Sequence, residues 1–79
     1  MNNQEKYLNA FVTAFGVSEA EVAGLAYQGI EAWDSVGHMG LIAELEDAFD
    51  IMMDTDDIID LSSFEKGMEI LAKNYSIEF

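Results

Sequence analysis

The sequence predicts a small all-α fold, an irregular four-helix bundle with three main helices, one short helix and a long first loop. Apolar residues recur at helical spacing in three separate segments of the 79 residues. Residue types that cap helix N-termini precede these segments. The chain contains no proline, which suits uninterrupted helices. Its length predicts a single domain, residues 1–79.

The first main helix is predicted from Gln4 to Phe15, with Gly16 as its C-terminal stop. The pattern Ser18 to Glu21 is a capping box that opens only one or two helical turns. The apolar residues on one face of the first helix are Tyr7, Leu8, Phe11, Val12 and Phe15.

The chain from Gly24 to Trp33 loses the helical period, so we expect an ordered loop held on the core. The strongest helix pattern follows, with Asp34 and Ser35 at its start. Residues of this second main helix that should face the core are Leu41, Ile42, Leu45 and Phe49.

An acid-rich cap at 54–57 predicts a short helix that ends at about Leu61. A capping box from Ser62 to Glu65 then opens the last helix. Its inward positions are predicted to be Phe64, Met68, Leu71 and Tyr75.

The charge balance restricts the possible partners. Sixteen Asp and Glu stand against three Lys and no Arg, which gives a formal charge of −13, although 51% of residues are hydrophobic. This charge excludes an ordinary nucleic-acid binder and argues against binding to anionic membranes. It favours partners with basic surfaces. The absence of cysteine, of a long apolar run and of a secretion signal predicts a cytoplasmic protein.

The acids are concentrated between residues 44 and 60, where eight of the sixteen lie. No Lys or Arg occurs between Lys6 and Lys66, so these acids lack helical ion-pair partners. Val36, Met39 and Ala43 form an apolar stripe in the same region. The stripe is either a docking surface beside the acids or a widening of the core face, and the sequence leaves both open.

An enzymatic interpretation would use Ser35, His38 and Asp34. Neighbouring residues on one helix point in diverging directions, so a catalytic triad is not expected. We predict that His38 is a surface or partly buried helix residue and that the protein has no catalysis of its own.

A calcium-loop interpretation would use the acids from Asp54 to Glu65. The pattern fails at Ile58, which replaces an oxygen ligand, and at Ile59, which replaces the glycine of the sharp turn. We therefore predict no specific metal site and expect at most weak, nonspecific binding of divalent cations to the acids. A divalent-cation binder with a stoichiometric site is kept as a third hypothesis.

Two sequence features together resemble the acyl carrier protein family. Asp34-Ser35-Val36 is followed at the family's distance by Leu45-Glu46-x-x-Phe49, in an acidic helical chain. The resemblance extends over essentially the whole chain.

The resemblance implies a monomeric swinging-arm carrier. A phosphopantetheinyl transferase would move 4′-phosphopantetheine from coenzyme A to the Ser35 hydroxyl, and the arm's thiol would carry acyl or aminoacyl groups as thioesters. Asp34 would cap the helix or contact the transferase, and the bundle core could shelter an acyl chain. Acyl-activating, synthase or acyltransferase enzymes with basic docking patches would bind a partner surface of Val36, Met39, Ala43, Glu44, Asp47 and Met53.

The chain departs from many fatty-acid carriers at Gly37 and Gly40, where those have acids, and at Trp33. Trp33 before the Asp34-Ser35 pair, and Gly37-His38 after it, are more similar to carriers of specialised pathways, such as polyketide, aminoacyl or surface-polysaccharide routes. The alternative function is an acidic helical docking module that carries no prosthetic group.

Overall fold

The computed structural model describes residues 2–79, which are mostly helical and contain no β-strand. Three long helices and two short ones follow each other along the chain. The predicted all-α class is confirmed for these residues, and the three long helices lie where the periodicity indicates. The helices are α1 (Asn3–Phe15), α2 (Glu19–Val22), α3 (Ser35–Phe49), α4 (Thr55–Asp60) and α5 (Phe64–Asn74).

Side-chain caps determine where the long helices begin. The Asn2 side chain accepts a backbone hydrogen bond of 2.8 Å, so α1 begins at Asn3, one residue before the predicted start. Ser63 accepts the corresponding bond of 3.0 Å at α5, so the cap is Ser63 rather than Ser62. Gly16 ends α1 as predicted, in the left-handed conformation with φ 66°.

An aromatic cluster forms the centre of the core. Phe11 contacts Tyr7 with ring centroids 5.0 Å apart and Trp33 with centroids 5.5 Å apart, both edge to face. Phe15 stacks on Trp33 at 5.1 Å. Aromatic pairs in these geometries stabilise a core beyond the area that they bury. The largest fully enclosed side chains are Tyr7, Phe11, Val22, Trp33, Leu41, Ile42, Leu45, Leu61 and Leu71.

The predicted inward positions of α3 differ in how deeply they are buried. Leu41, Ile42 and Leu45 are buried as predicted, whereas Phe49 is only half-buried at the end of the helix. The Phe49 ring contacts Phe79, with centroids 6.3 Å apart, so the C-terminal segment covers it in place of a helix. Other predicted inward residues that are half-buried are Leu8, Val12, Phe64, Met68 and Tyr75.

The loop 23–34 is ordered by contacts to the start of α5. Ala26 and Ser63 form an isolated antiparallel bridge. The Phe64 N–H donates to the Leu25 carbonyl at 3.0 Å. Since Trp33 at the other end of the loop is fully buried, the loop is held on the core at both ends, as predicted.

Helix packing is dominated by one pair, because α1 and α3 share the largest helix–helix contact, and α4 contacts α5 more lightly. The longest helix, α3, has 15 residues. Within residues 2–79, no helix combines the length and the apolar character that crossing a bilayer requires.

Candidate functional site

Ser35 is the first residue of α3, and it is exposed. The preceding residue, Asp34, is the N-cap, and its carboxylate accepts a hydrogen bond of 2.8 Å from the Gly37 N–H. The first amides of a helix have no acceptors within the helix, and they carry the positive end of the helix dipole. The Ser35 hydroxyl therefore lies in water at a helix end that favours a negatively charged group.

Gly37 allows the loop to pass close beneath the start of α3. A Cβ atom built on Gly37 would overlap the carbonyl oxygen of Ala32, so no larger residue fits without a backbone shift. Gly40, one turn later, faces open space. The two glycines of α3 thus have different roles. The first is required by packing, and the second leaves the outer side of α3 flat.

An apolar groove with a volume of about 420 Å³ lies between α3 and α4, and Ser35 is one of its lining residues. Its rims carry exposed apolar side chains, with Met39 53% exposed and Ile59 71% exposed. Leu61, which is fully buried, forms part of its floor. The lining residues are Tyr27, Ser35, His38, Met39, Ile58, Ile59, Leu61 and Ser62.

The His38 ring connects three parts of the structure at the floor of this groove. Its Nδ1 accepts a hydrogen bond of 2.9 Å from the Trp33 indole N–H, which leaves Nε2 to donate to the Ile58 carbonyl at 2.7 Å. The ring also lies nearly parallel to the Trp33 ring, at 13°. His38 is half-buried, as predicted.

The hydrogen bonds of His38 also argue against a catalytic triad of Ser35, His38 and Asp34. Both nitrogens of His38 are engaged, one by Trp33 and one by the Ile58 carbonyl. The ring therefore has no free lone pair with which to take a proton from the Ser35 hydroxyl. Nucleophilic catalysis by these residues has no support in the geometry.

The apolar stripe on α3 is exposed, so it does not widen the core face. Val36 is 80% exposed, and Met39 and Ala43 are also exposed. Asp47 continues the same side of the helix, eleven residues after Val36. Glu44 is half-buried on the flank toward α1, where it lines a shallow groove with Lys6, Asn9 and Asp47.

Met53 corrects the predicted partner surface. Its side chain is 6% exposed and belongs to the core, so it cannot contact a partner. The Met53 N–H donates to the Glu46 carboxylate at 2.9 Å, which holds the chain after α3 in the orientation that buries this residue. The exposed methionine of the segment is Met52, at 86%.

The acidic segment from Asp54 to Asp60 folds as the short helix α4, not as a calcium loop, and Asp54 occupies the N-cap position without a side-chain capping bond. A small network joins it to α5: the Tyr75 hydroxyl donates to Asp57 at 2.7 Å and accepts from the Asp54 N–H at 2.8 Å. Among residues 2–79, no group of three or more potential ligand side chains is arranged to hold a metal ion.

The acids of the described chain are almost without ion-pair partners. Within residues 2–79 the structure contains one ion pair, between Lys66 and Glu69 at 3.9 Å. The carboxylates around the stripe and on α4 therefore add their fields rather than cancel them.

The groove residues of α4 were not predicted from the sequence. Ile58 and Ile59 interrupt a run of acids, and an apolar pair in such a run is the signal that could have indicated them. The bond from His38 to the Ile58 carbonyl joins residues 20 apart in the chain, and no local pattern predicts it.

Comparison with known proteins identifies no relative. No protein-family model, no curated protein and no solved structure matches the chain.

Proposed function

We propose that this protein is an acyl carrier protein whose Ser35 hydroxyl carries 4′-phosphopantetheine. The observation that supports this best is the position of Ser35. It is exposed at the start of a 15-residue helix capped by Asp34, and it lines an apolar groove. Helices α1, α3, α4 and α5 then correspond to the irregular four-helix bundle of that family. The protein would act as a monomer in the cytoplasm.

The residues at Ser35 fit the group. Its phosphodiester would lie at the positive end of the α3 dipole, near amides that have no acceptor within the helix. Asp34 turns its carboxylate onto the Gly37 N–H, so the space outside the Ser35 hydroxyl stays open. The arm would supply a thiol, which the chain itself lacks, for carrying acyl groups as thioesters.

Attachment requires only a hydroxyl from this chain. The Ser35 oxygen would bond to the phosphorus of the phosphopantetheine half of coenzyme A, and adenosine 3′,5′-bisphosphate would leave. The hydroxyl proton would go to a base of the transferase, because His38 has no free nitrogen. Ser35 is thus an acceptor, and the carrier needs no catalytic residue.

Partner enzymes would bind the exposed side of α3. Val36, Met39 and Ala43 offer an apolar contact, and Asp47 lies on the same side of the helix. With a net charge of −13, the surface attracts enzymes with basic patches and speeds their encounter. A phosphopantetheinyl transferase and acyl-activating, synthase or acyltransferase enzymes are the expected partners.

Intact mass spectrometry tests the attachment. The purified chain is incubated with coenzyme A and a broad-specificity phosphopantetheinyl transferase, beside Ser35→Ala and the matched control Ser62→Ala. We expect a gain of one phosphopantetheine in the unmodified chain and in Ser62→Ala, and none in Ser35→Ala. An unmodified wild-type chain, or an adduct that survives Ser35→Ala, would contradict the proposal.

The exposed stripe also supports the second candidate, an acidic docking module without an arm. That function depends on Val36, Met39 and the surrounding charge but not on Ser35. It predicts that Ser35 is unmodified in protein purified from its native host. It also predicts that partner capture is lost in Met39→Ser and unchanged in Ser35→Ala, whereas the carrier requires both residues.

A further inference from the structure

We propose that His38 determines the cargo of the arm: it closes the floor of the groove and confines the acyl group to the surface between α3 and α4. This inference rests on the proposed function of Ser35. It names the substrate class as acyl groups short enough to lie within the groove, and it excludes long acyl chains that would have to enter the helical core.

Two hydrogen bonds hold the His38 ring in place between the loop and α4. We call His38 with these two bonds the latch. One comes from Trp33 at the end of the loop, at 2.9 Å, and the other goes to the Ile58 carbonyl on α4, at 2.7 Å. Opening a passage past this ring would break both bonds and leave two polar groups unpaired. The latch therefore opposes separation of α3 from α4 at the groove.

The space behind the latch is filled. Trp33 is fully buried and contacts Phe11 at 5.5 Å, Phe15 at 5.1 Å and the His38 ring at 6.2 Å. Protein interiors at native packing density have no room for an added chain without displacement of side chains. An acyl group that entered here would have to move Trp33, the largest residue of the core.

The groove itself offers a suitable surface for a short acyl group. It has a volume of about 420 Å³ and a mostly apolar lining that includes Ser35. Met39 and Ile59 are exposed at its rims, and their contact with an acyl group would remove apolar surface from water. A chain that extends beyond the groove gains no such burial.

A single-thiol variant tests the latch without any enzyme. Because the chain has no cysteine, Ser35→Cys provides one thiol. Its thiolate displaces iodide from N-alkyl iodoacetamides and forms a thioether to a butyl, octyl or hexadecyl chain. Thr13→Cys on the exposed side of α1 is the matched control. The readouts are Tm and the NMR signal of the Trp33 indole N–H.

The octyl chain on Cys at position 35 should raise Tm by about 4 °C or more, and the hexadecyl chain should add nothing further. The chemical shift of the Trp33 indole N–H should be the same with the octyl and hexadecyl chains as without them. No chain at position 13 should raise Tm. Adding Ile59→Asn, an exposed change at the rim, should remove the gain at position 35.

Two results would overturn the inference. One is a further rise in Tm from octyl to hexadecyl together with a moved Trp33 indole signal, which would mean that the chain enters the core. The other is no rise with any chain, which would mean that the groove holds no cargo. Adding His38→Ala should reverse the expected pattern, so that hexadecyl exceeds octyl and moves the Trp33 signal.

A separate experiment shows whether the proposed carrier function fails. Failure is detected by mass in the transferase reaction on the unmodified chain, whereas alkylation of the Cys variant proceeds without a transferase. A chain that is not modified by the transferase but binds octyl in the groove would refute the carrier function and leave the closed floor supported.

Discussion

The indole N–H of Trp33 donates to Nδ1 of His38 at 2.9 Å, and the two rings lie within 13° of parallel. This pair joins the end of the loop to the first turn of α3. Because Nδ1 accepts, the proton of the neutral ring is on Nε2, where it meets the Ile58 carbonyl. One side chain thus fixes the position of Ser35 relative to α4.

His38→Ala should lower the free energy of unfolding by about 1–3 kcal/mol, because the buried indole N–H of Trp33 loses its acceptor. Urea unfolding measures the change. The control is Asn9→Ala on the exposed side of α1, which should stay within about 0.5 kcal/mol of wild type. Equal stabilities of the two variants would mean that the His38 bonds contribute nothing.

The two glycines of α3 should respond to alanine with opposite signs. Gly37→Ala should destabilise by about 1–3 kcal/mol, since the new Cβ overlaps the Ala32 carbonyl oxygen. Gly40→Ala meets open space and should stabilise by up to about 1 kcal/mol through helix propensity. Thermal or urea unfolding of the pair checks the prediction. Stabilisation by both substitutions would show that the loop yields easily beneath Gly37.

Phe49→Ala should cost less than about 3 kcal/mol, the lower end for a fully buried phenylalanine, because Phe49 is half-buried. Leu45→Ala, one turn earlier and fully enclosed, should cost about 2–5 kcal/mol. Both are measured by urea unfolding. A larger loss at Phe49 than at Leu45 would mean that the C-terminal segment covers the ring more tightly than the 6.3 Å contact with Phe79 indicates.

Stability should fall at alkaline pH because two tyrosines hold their protons more tightly in the folded chain. Burial raises the pKa of Tyr7, whose hydroxyl donates to the Phe64 carbonyl at 2.6 Å. Partial burial, and then the hydrogen bond and charge of Asp57, raise the pKa of Tyr75. In the unfolded chain both ionise near pH 10.

Because the pKa values are higher in the folded chain, ionisation of these tyrosines favours the unfolded state. The stabilisation is fully present below about pH 10 and is lost as the pH rises above it, by about 1.4 kcal/mol per pH unit for Tyr7. Urea unfolding of wild type and Tyr7→Phe between pH 8 and about 11 measures the slope. The free energy of unfolding of Tyr7→Phe should decline less steeply with pH. Any contribution from the three lysines is the same in both proteins. Identical slopes would contradict the prediction.

Much of the fold could be predicted because its signals are local. The spacing of Tyr7, Phe11 and Phe15 and the caps at Asp34 and in the Ser62-Ser63 pair depend on one or two helical turns. Such patterns can be recognised from neighbouring residues alone. The exposed Ser35 could be expected for the same reason, since it follows its cap.

The features that the sequence did not predict depend on backbone turns and on contacts between residues distant in the chain. Asp50 adopts a left-handed conformation with φ 53°, and this turn decides that Met53 points inward while Met52 points to water. The groove needs α4 beside α3, which the His38 bond to Ile58 secures across 20 residues. Helical periodicity stops at the end of each helix. It could therefore predict neither the burial of Met53 nor the groove between α3 and α4.

The scarcity of ion pairs gives salt two opposite effects on this molecule. Dissolved ions shorten the reach of each carboxylate to about 10 Å at 0.1 M, which relieves the mutual repulsion of the sixteen acids and tightens the fold. The same ions weaken attraction to a basic enzyme. The proposed basic partners would therefore bind most readily at low salt, where the fold is least stable, and their cationic surface would replace salt as a stabiliser.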